Sequence, residues 1–284
     1  MTVRGTMIAV GDNCLDVYLS KNRMAVGGNA LNVAAQWRAQ GLDARYFGTV
    51  GRDAEGDQIL AASSAAGLAA EDVERGEGNT AVTLLLERQG DRRFLLEDLG
   101  IGLGYRPDPT RYAALRQADW VHLGTNTPEA LVRQLVADGV PFSVDVSTNH
   151  EDLALEGVPL VFASGPEAAE EPVEPVLSRL RGHGAGRIVM TCGRRGAFLM
   201  EGNELVHVPA RPIQVVDTCG AGDSFIAAFI VATISGRSGK EGLEIATQSA
   251  ARTCGHEGGF PQELIPIPQW LLDKYADVIG TAEL

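Results

Sequence analysis

Short apolar runs alternate with stretches of helical spacing along most of this chain. Residues 7–10 form an apolar run that ends in Gly11-Asp12, the pattern of a buried strand. After Gly27-Gly28-Asn29, the positions Leu31, Ala34, Ala35 and Arg38 follow a helical spacing, which predicts a helix over 30–40. Gly41 stands where a helix ends on a left-handed residue. Residues 44–50 read as a strand, and 57–66 as a helix closed by Gly67. Farther on, strands are predicted at 120–123, 142–145, 160–163 and 187–191, with helices at 128–137 and 174–181. Segments 197–200 and 205–208 read as a late antiparallel hairpin, followed by helices at 224–234 and about 240–253. Repeated βα units imply an α/β fold, a doubly wound and mostly parallel sheet flanked by helices.

The alternation breaks in two places. Residues 81–87 and 93–97 flank Gln89-Gly90-Asp91 and read as a hairpin, and 14–19 with its continuation toward Ala25 reads as another strand pair. We read these pieces, about 13–25 and 79–98, as a small β-rich lid on a single domain spanning 1–284. The tail after Gly259, with Pro261, Pro266 and Pro268, reads as an extension packed on the surface.

Composition narrows the function classes. A chain of 284 residues with 45% hydrophobic content supports one large core, and no run is long and apolar enough to span a membrane. The N-terminal stretch lacks a secretory apolar region. Cys14, Cys192, Cys219 and Cys254 form no C-x-x-C pair, so reduced thiols in a cytoplasmic protein are expected. A formal charge of −13 argues against nucleic acid and anionic membrane as partners. It also means that an anionic ligand must be held by local amides, a few arginines and a divalent ion rather than by a basic surface.

The chemistry concentrates in Asp217-Thr218-Cys219-Gly220-Ala221-Gly222-Asp223. This stretch follows the apolar run 213–216, read as a strand, and precedes a helix. Small residues let successive backbone N–H groups point at one place, and a helix N-terminus adds partial positive charge. A carboxylate beside such an anion hole suits a base that aligns a hydroxyl for attack on a phosphate. Taken alone, G-A-G-D also reads as an ordinary turn with an acid near a helix start, where carboxylates are favoured and their pKa is low. The second glycine-rich segment, Gly27 to Asn32, shifts the balance. Gly27 and Gly28 allow close backbone approach, while Asn29 and Asn32 lie three apart near one face of a first helical turn. Asp12 stands after the first strand, at the carboxyl edge where open α/β sheets bind ligands. Such donors and acceptors fit a polyol.

These two segments resemble the signatures of the PfkB/ribokinase family of carbohydrate kinases, and the resemblance covers nearly the whole chain. Gly27 to Ala34 with Gly48 to Gly56 matches the N-terminal signature, and Val216 to Phe225 the C-terminal one. The resemblance implies ATP-dependent phosphorylation of a sugar-like hydroxyl. Asp223 is then the base, and the amides of Gly220, Ala221 and Gly222 form the anion hole and meet the nucleotide. Thr191-Cys192-Gly193-Arg194-Arg195-Gly196 resembles the family's nucleotide loop, with Thr191, Gly193 and Gly196 against the phosphates and Arg194 or Arg195 helping; a plain hairpin turn is the alternative. Where the family often has Asn-x-x-Glu to organise Mg2+ through water, this chain has Ser164-Gly165-Pro166-Glu167, keeping only Glu167. Many members also hold a monovalent cation such as K+ beside the anion loop, which would fall to Asp217. Lid strands in the family commonly pair between subunits, which implies a homodimer.

For the sugar, Gly11-Asp12-Asn13-Cys14-Leu15-Asp16 and the Phe162-Ala163-Ser164 departure resemble the subgroup acting on fructoselysine, a ketose carrying an amino acid on C1, phosphorylated at its 6-hydroxyl. Sugar-site candidates are Asp12, Asp16, Gly28, Asn29 and Asn32, with Asn13 a further position. On the lid, Arg92 can pair a carboxylate and Glu97 or Asp98 can accept an ammonium. Fructokinase, ribokinase and 2-keto-3-deoxygluconate kinase share the same catalytic loop and stay open, as does a non-catalytic sugar or nucleotide sensor. An NAD-dependent oxidoreductase is excluded, because no G-x-G-x-x-G follows the first strand.

Overall fold

In the computed structural model, which describes residues 5–88 and 91–281, the chain builds two sheets. The elements run β1 (Thr6–Val10), β2 (Cys14–Tyr18), β3 (Arg23–Gly27), α1 (Asn29–Ala39), β4 (Asp43–Gly51), α2 (Ala54–Ala65), β5 (Val73–Gly76), β6 (Val82–Arg88) and β7 (Asp91–Asp98). Then come α3 (Pro109–Leu115), β8 (Trp120–Leu123), α4 (Glu129–Ala137), β9 (Phe142–Asp145), β10 (Leu160–Ser164), α5 (Glu174–Gly182), β11 (Arg187–Thr191), β12 (Ala197–Glu201) and β13 (Glu204–Val208). The chain closes with α6 (Ala221–Ile234), α7 (Gly239–Thr253), β14 (Ile265–Pro266), α8 (Gln269–Lys274) and α9 (Ala276–Gly280).

The large sheet has nine strands in the order β13-β12-β11-β10-β9-β8-β1-β4-β5. Only β12 and β13 run antiparallel to their neighbours. Along β1, Met7 and Ala9 join the core on one side while Ile8 and Val10 join the core on the other. Both faces are covered, which is why these strands read as unbroken apolar runs. Chain order reverses at β1, whose neighbours are β4 and β8, so a crevice opens at the carboxyl ends of β1, β8 and β9. Helix α6 is buried all round from Ser224 to Ile230 and packs between α1 and α7. The Trp37 indole N–H donates to the Ala227 carbonyl at 3.1 Å, and the Ser224 and Ser249 hydroxyls meet at 2.8 Å. The first bond ties α1 to α6, and the second ties α6 to α7.

The second sheet, β14-β3-β2-β6-β7, is the expected lid, and β6 and β7 form its hairpin. Two expectations need correction. Residues 209–216 form no strand: Pro209 and Pro212 lack ladder donors, and Ile213, Val215 and Val216 stand exposed beyond the edge strand β13. The tail is more than a surface extension. β14 pairs with β3, and Ile267, Leu271 and Tyr275 enter the main core. Strand β5, short and polar, had no apolar run to announce it.

Candidate active site

Three carboxylates and two amides converge where the first turns of α1 and α6 meet. Asn32 donates to one oxygen of Asp223 at 2.6 Å, and Asn29 donates to the other at 2.7 Å. The same Asn29 nitrogen also reaches Asp145, the last residue of β9, at 2.8 Å. Asp12 accepts the backbone N–H groups of Asn29 and Ala30 at 2.8 and 3.1 Å and so fixes the start of α1. Gly28 makes this entry possible: its φ is +106°, and a Cβ there would lie 2.4 Å from the Asn13 backbone. Asn13 itself is a structural tie, donating to the Tyr46 hydroxyl and the Thr49 carbonyl.

Crowding these acids into a poorly solvated crevice shifts their titration. Burial above all, then the charges of Asp145 and Asp12, push Asp223 up to about 8, against the pull of the Asn32 and Asn29 bonds. The low pKa expected from its place in the first helical turn is therefore wrong, because desolvation and like charge outweigh the helix terminus. Burial likewise raises Asp145 to about 6 and lifts Asp12 above the usual range. Asp145 escaped the sequence reading; the only signal was an acid ending the apolar run Phe142–Asp145.

Loop 217–223, the expected anion loop, is tight and latched to the lid. Gly220 caps α6 with φ +68°, and a Cβ on it would lie 2.2 Å from Gly259 Cα. Helix α6 begins at Ala221, so its first N–H groups lack intrahelical acceptors; that of Ala221 reaches the Thr218 carbonyl at 3.3 Å. Asp217, 4% exposed, accepts from the Tyr18 hydroxyl at 3.0 Å, the Cys219 amide at 3.0 Å and the Gly258 amide at 3.1 Å. This places Gly258 and Gly259 against loop 217–223. Asp16, also buried, accepts the thiols of Cys14 and Cys219 at 3.3 and 3.4 Å. Burial, reinforced by Asp16, pushes both thiols well up, so Cys219 is a neutral turn residue and not a nucleophile.

Across the crevice, Thr191 ends β11, and Gly193 and Gly196 take positive φ in the following turn. The Glu167 carboxylate lies against this turn, since a Cβ on Gly193 would meet its Cδ at 2.7 Å. Arg195 is committed elsewhere: it donates to the carbonyls of Pro166, Ala168 and Glu171. Arg194 is exposed. On the lid, Asp98 accepts from Asn79 and the Gly100 amide and shapes its own loop, whereas Glu97 lines a cavity of about 480 Å³ that Asp145 also lines. The Arg92 side chain lies outside the described residues.

A doubly wound α/β domain with a lid, an anion loop and a carboxylate at that loop's helix defines a phosphotransferase of the sugar-kinase class. The comparisons agree: residues 5–263 match the model of the pfkB family carbohydrate kinases, and the chain belongs to that family. Fructosamine kinase FrlD of Bacillus subtilis is 32% identical, over 89% of this chain and 92% of that protein. Fructoselysine 6-kinase of Escherichia coli is 29% identical, over 90% of this chain and 99% of that one. The fold is shared with Arabidopsis thaliana ribokinase complexed with ribose and ATP, at a TM-score of 0.78 and 21% identity over 92% and 96% of the two chains. The chain is accordingly an ATP-dependent enzyme that phosphorylates sugars. Among the described residues, no helix is long and apolar enough to cross a membrane.

Proposed function

We propose that the enzyme transfers the γ-phosphoryl group of ATP to the 6-hydroxyl of a ketose substituted on C1 by an amino compound, with fructoselysine the best fit. The observation that carries the chemistry is the Asp223 carboxylate, held by Asn29 and Asn32 at the opening of α6. It orients the sugar hydroxyl and takes its proton as the bond to phosphorus forms. The N–H groups at Gly220, Ala221 and Gly222 stabilise charge on the transferred group, which in a loose transition state matters more than basicity. Asp12, Asp16, Gly28 and Asn29 frame the sugar, and Thr191, Gly193 and Gly196 frame the phosphates. Glu167, exposed beside Gly193, fits a hydrated Mg2+, an ion that would neutralise phosphate charge. Asp217 offers K+ a carboxylate that already accepts three donors, a poor fit, and the transfer proceeds without one in this reading. The C1-substituted ketose is supported by the two relatives named for fructosamine and fructoselysine, each aligned over about nine-tenths of the chain. Use of ATP and four cysteines without a disulfide fit a cytoplasmic enzyme. A sensor without activity has no use for Asp223.

A coupled ADP-release assay over fructoselysine, fructose, ribose, 2-keto-3-deoxygluconate and a nucleoside tests this reading. Fructoselysine should give the highest kcat/KM. Asp223→Asn should lower kcat by about 10²–10⁴-fold while ATP still binds. A preference for an unsubstituted sugar, or near-normal turnover of the variant, refutes it.

A further inference from the structure

Phosphoryl transfer as proposed above leaves the cavity of about 480 Å³ beside the crevice unused. Asp145 belongs both to its lining and to the Asn29–Asp223 cluster, so the cavity continues the sugar site rather than standing apart from it. Its wall beyond Asp145 is apolar at Val144 and Leu155, and Ser147, Thr148 and Asn149 supply hydrogen-bonding groups. Three further acids line it. Arg133 neutralises Glu129 at 2.6 Å, but among the described residues no recorded ion pair involves Glu97 or Asp152. Among the described residues, no lysine or arginine lines it. A neutral or anionic sugar gains nothing from such a chamber. An aliphatic arm whose far end carries an ammonium beside a carboxylate gains a surface for its methylenes and two carboxylates for the ammonium, while Ser147, Thr148 and Asn149 offer donors to its own carboxylate.

We infer that this cavity is the subsite for the substituent on C1, and that Glu97 from the lid and Asp152 from the loop after β9 read its distal ammonium. This rests on the proposed function and assigns the part of the substrate that the shared catalytic loop leaves undetermined. Glu97 also gives the lid a substrate-dependent contact, since it reaches the cavity from the end of β7.

The test compares fructoselysine with 1-butylamino-1-deoxyfructose, which keeps the C1 nitrogen and a short alkyl arm but lacks the α-amino acid head. Glu97→Gln and Asp152→Asn are each measured on both substrates. Each variant should lower the preference for fructoselysine, as the ratio of kcat/KM values, by about 10- to 100-fold, mainly through KM. An unchanged ratio in both variants overturns the subsite while leaving the kinase reading intact. Turnover of fructose without turnover of either fructosamine overturns subsite and proposed function together.

Discussion

At the scale of single residues, the site is a problem in like charge. Asp223, Asp145 and Asp12 share the neighbourhood of Asn29; burial raises all three pKa values, and repulsion from neighbouring acids adds to it at Asp223 and Asp145. The proposed base works only when ionised, and Asp223 ionises as pH rises through about 8. In the free enzyme kcat/KM should therefore climb up to pH 8 and level off above it. Asp145→Asn removes a charge that raises Asp223, so the limb should move to lower pH, even though total activity falls with the loss of a sugar-site group. It should stay above the ordinary carboxylate value of 3.8, because burial is the larger cause and remains. A pH profile of the variant superimposable on that of the parent would show that Asp145 does not act on Asp223. The residues of this cluster were unequally legible. Asp223, Asn29 and Asn32 sit in glycine-rich segments whose spacing signals function. Asp145 has no local signature, and the raised pKa depends on partners distant in sequence that only the fold brings together.

At the scale of elements, two couplings hold the machinery. The α1–α6 contact places the Asn29 and Asn32 amides on Asp223, and the lid strand β2 holds loop 217–223 through Tyr18 and Asp217. Burial pushes the Tyr18 pKa far up, so its hydroxyl stays a neutral donor. Tyr18→Phe keeps the ring but leaves a nearly inaccessible carboxylate one donor short, at a cost of about 1–3 kcal/mol. We expect melting to fall by roughly 2–5 °C, with kcat reduced more than the KM for sugar is raised, because the proposed anion loop loses an anchor. Calorimetry and steady-state kinetics showing no change in either would mean that the latch is idle. Elements with strong apolar period were legible: β1, β4 and β8 to β11 lie where the sequence put them. The missed strand β5 is short and polar. The false strand at 213–216 is an apolar run whose Ile213, Val215 and Val216 stay exposed instead of entering a core. An apolar run announces burial only when something is available to bury it.

At the scale of the whole molecule, the lid sheet raises the question of its edges. Strand order within the two sheets was not legible, since it rests on contacts between distant segments. One lid edge is closed by β14, two residues long and ending in Pro266, an edge too short and too poor in donors to pair onward. The other edge is β7, eight residues without proline. Helix α9 packs against β7, yet Phe94 is 58% exposed there, with Leu99 and Leu103 at 40% and 56% just beyond. A long edge strand with exposed apolar side chains invites pairing, and a second copy presents the same edge antiparallel about a two-fold axis. This supports our reading of a homodimer joined through the lid. Light scattering after size exclusion should then give twice the 30.1 kDa chain mass for the parent protein. Phe94→Glu should give a single chain mass, because a charge at the centre of an apolar interface costs more than a small edge contact returns. A parent protein that elutes as one chain at micromolar concentration removes the dimer. It would leave β7 covered only by α9, and Glu97 would then close over the substrate cavity without help from a partner.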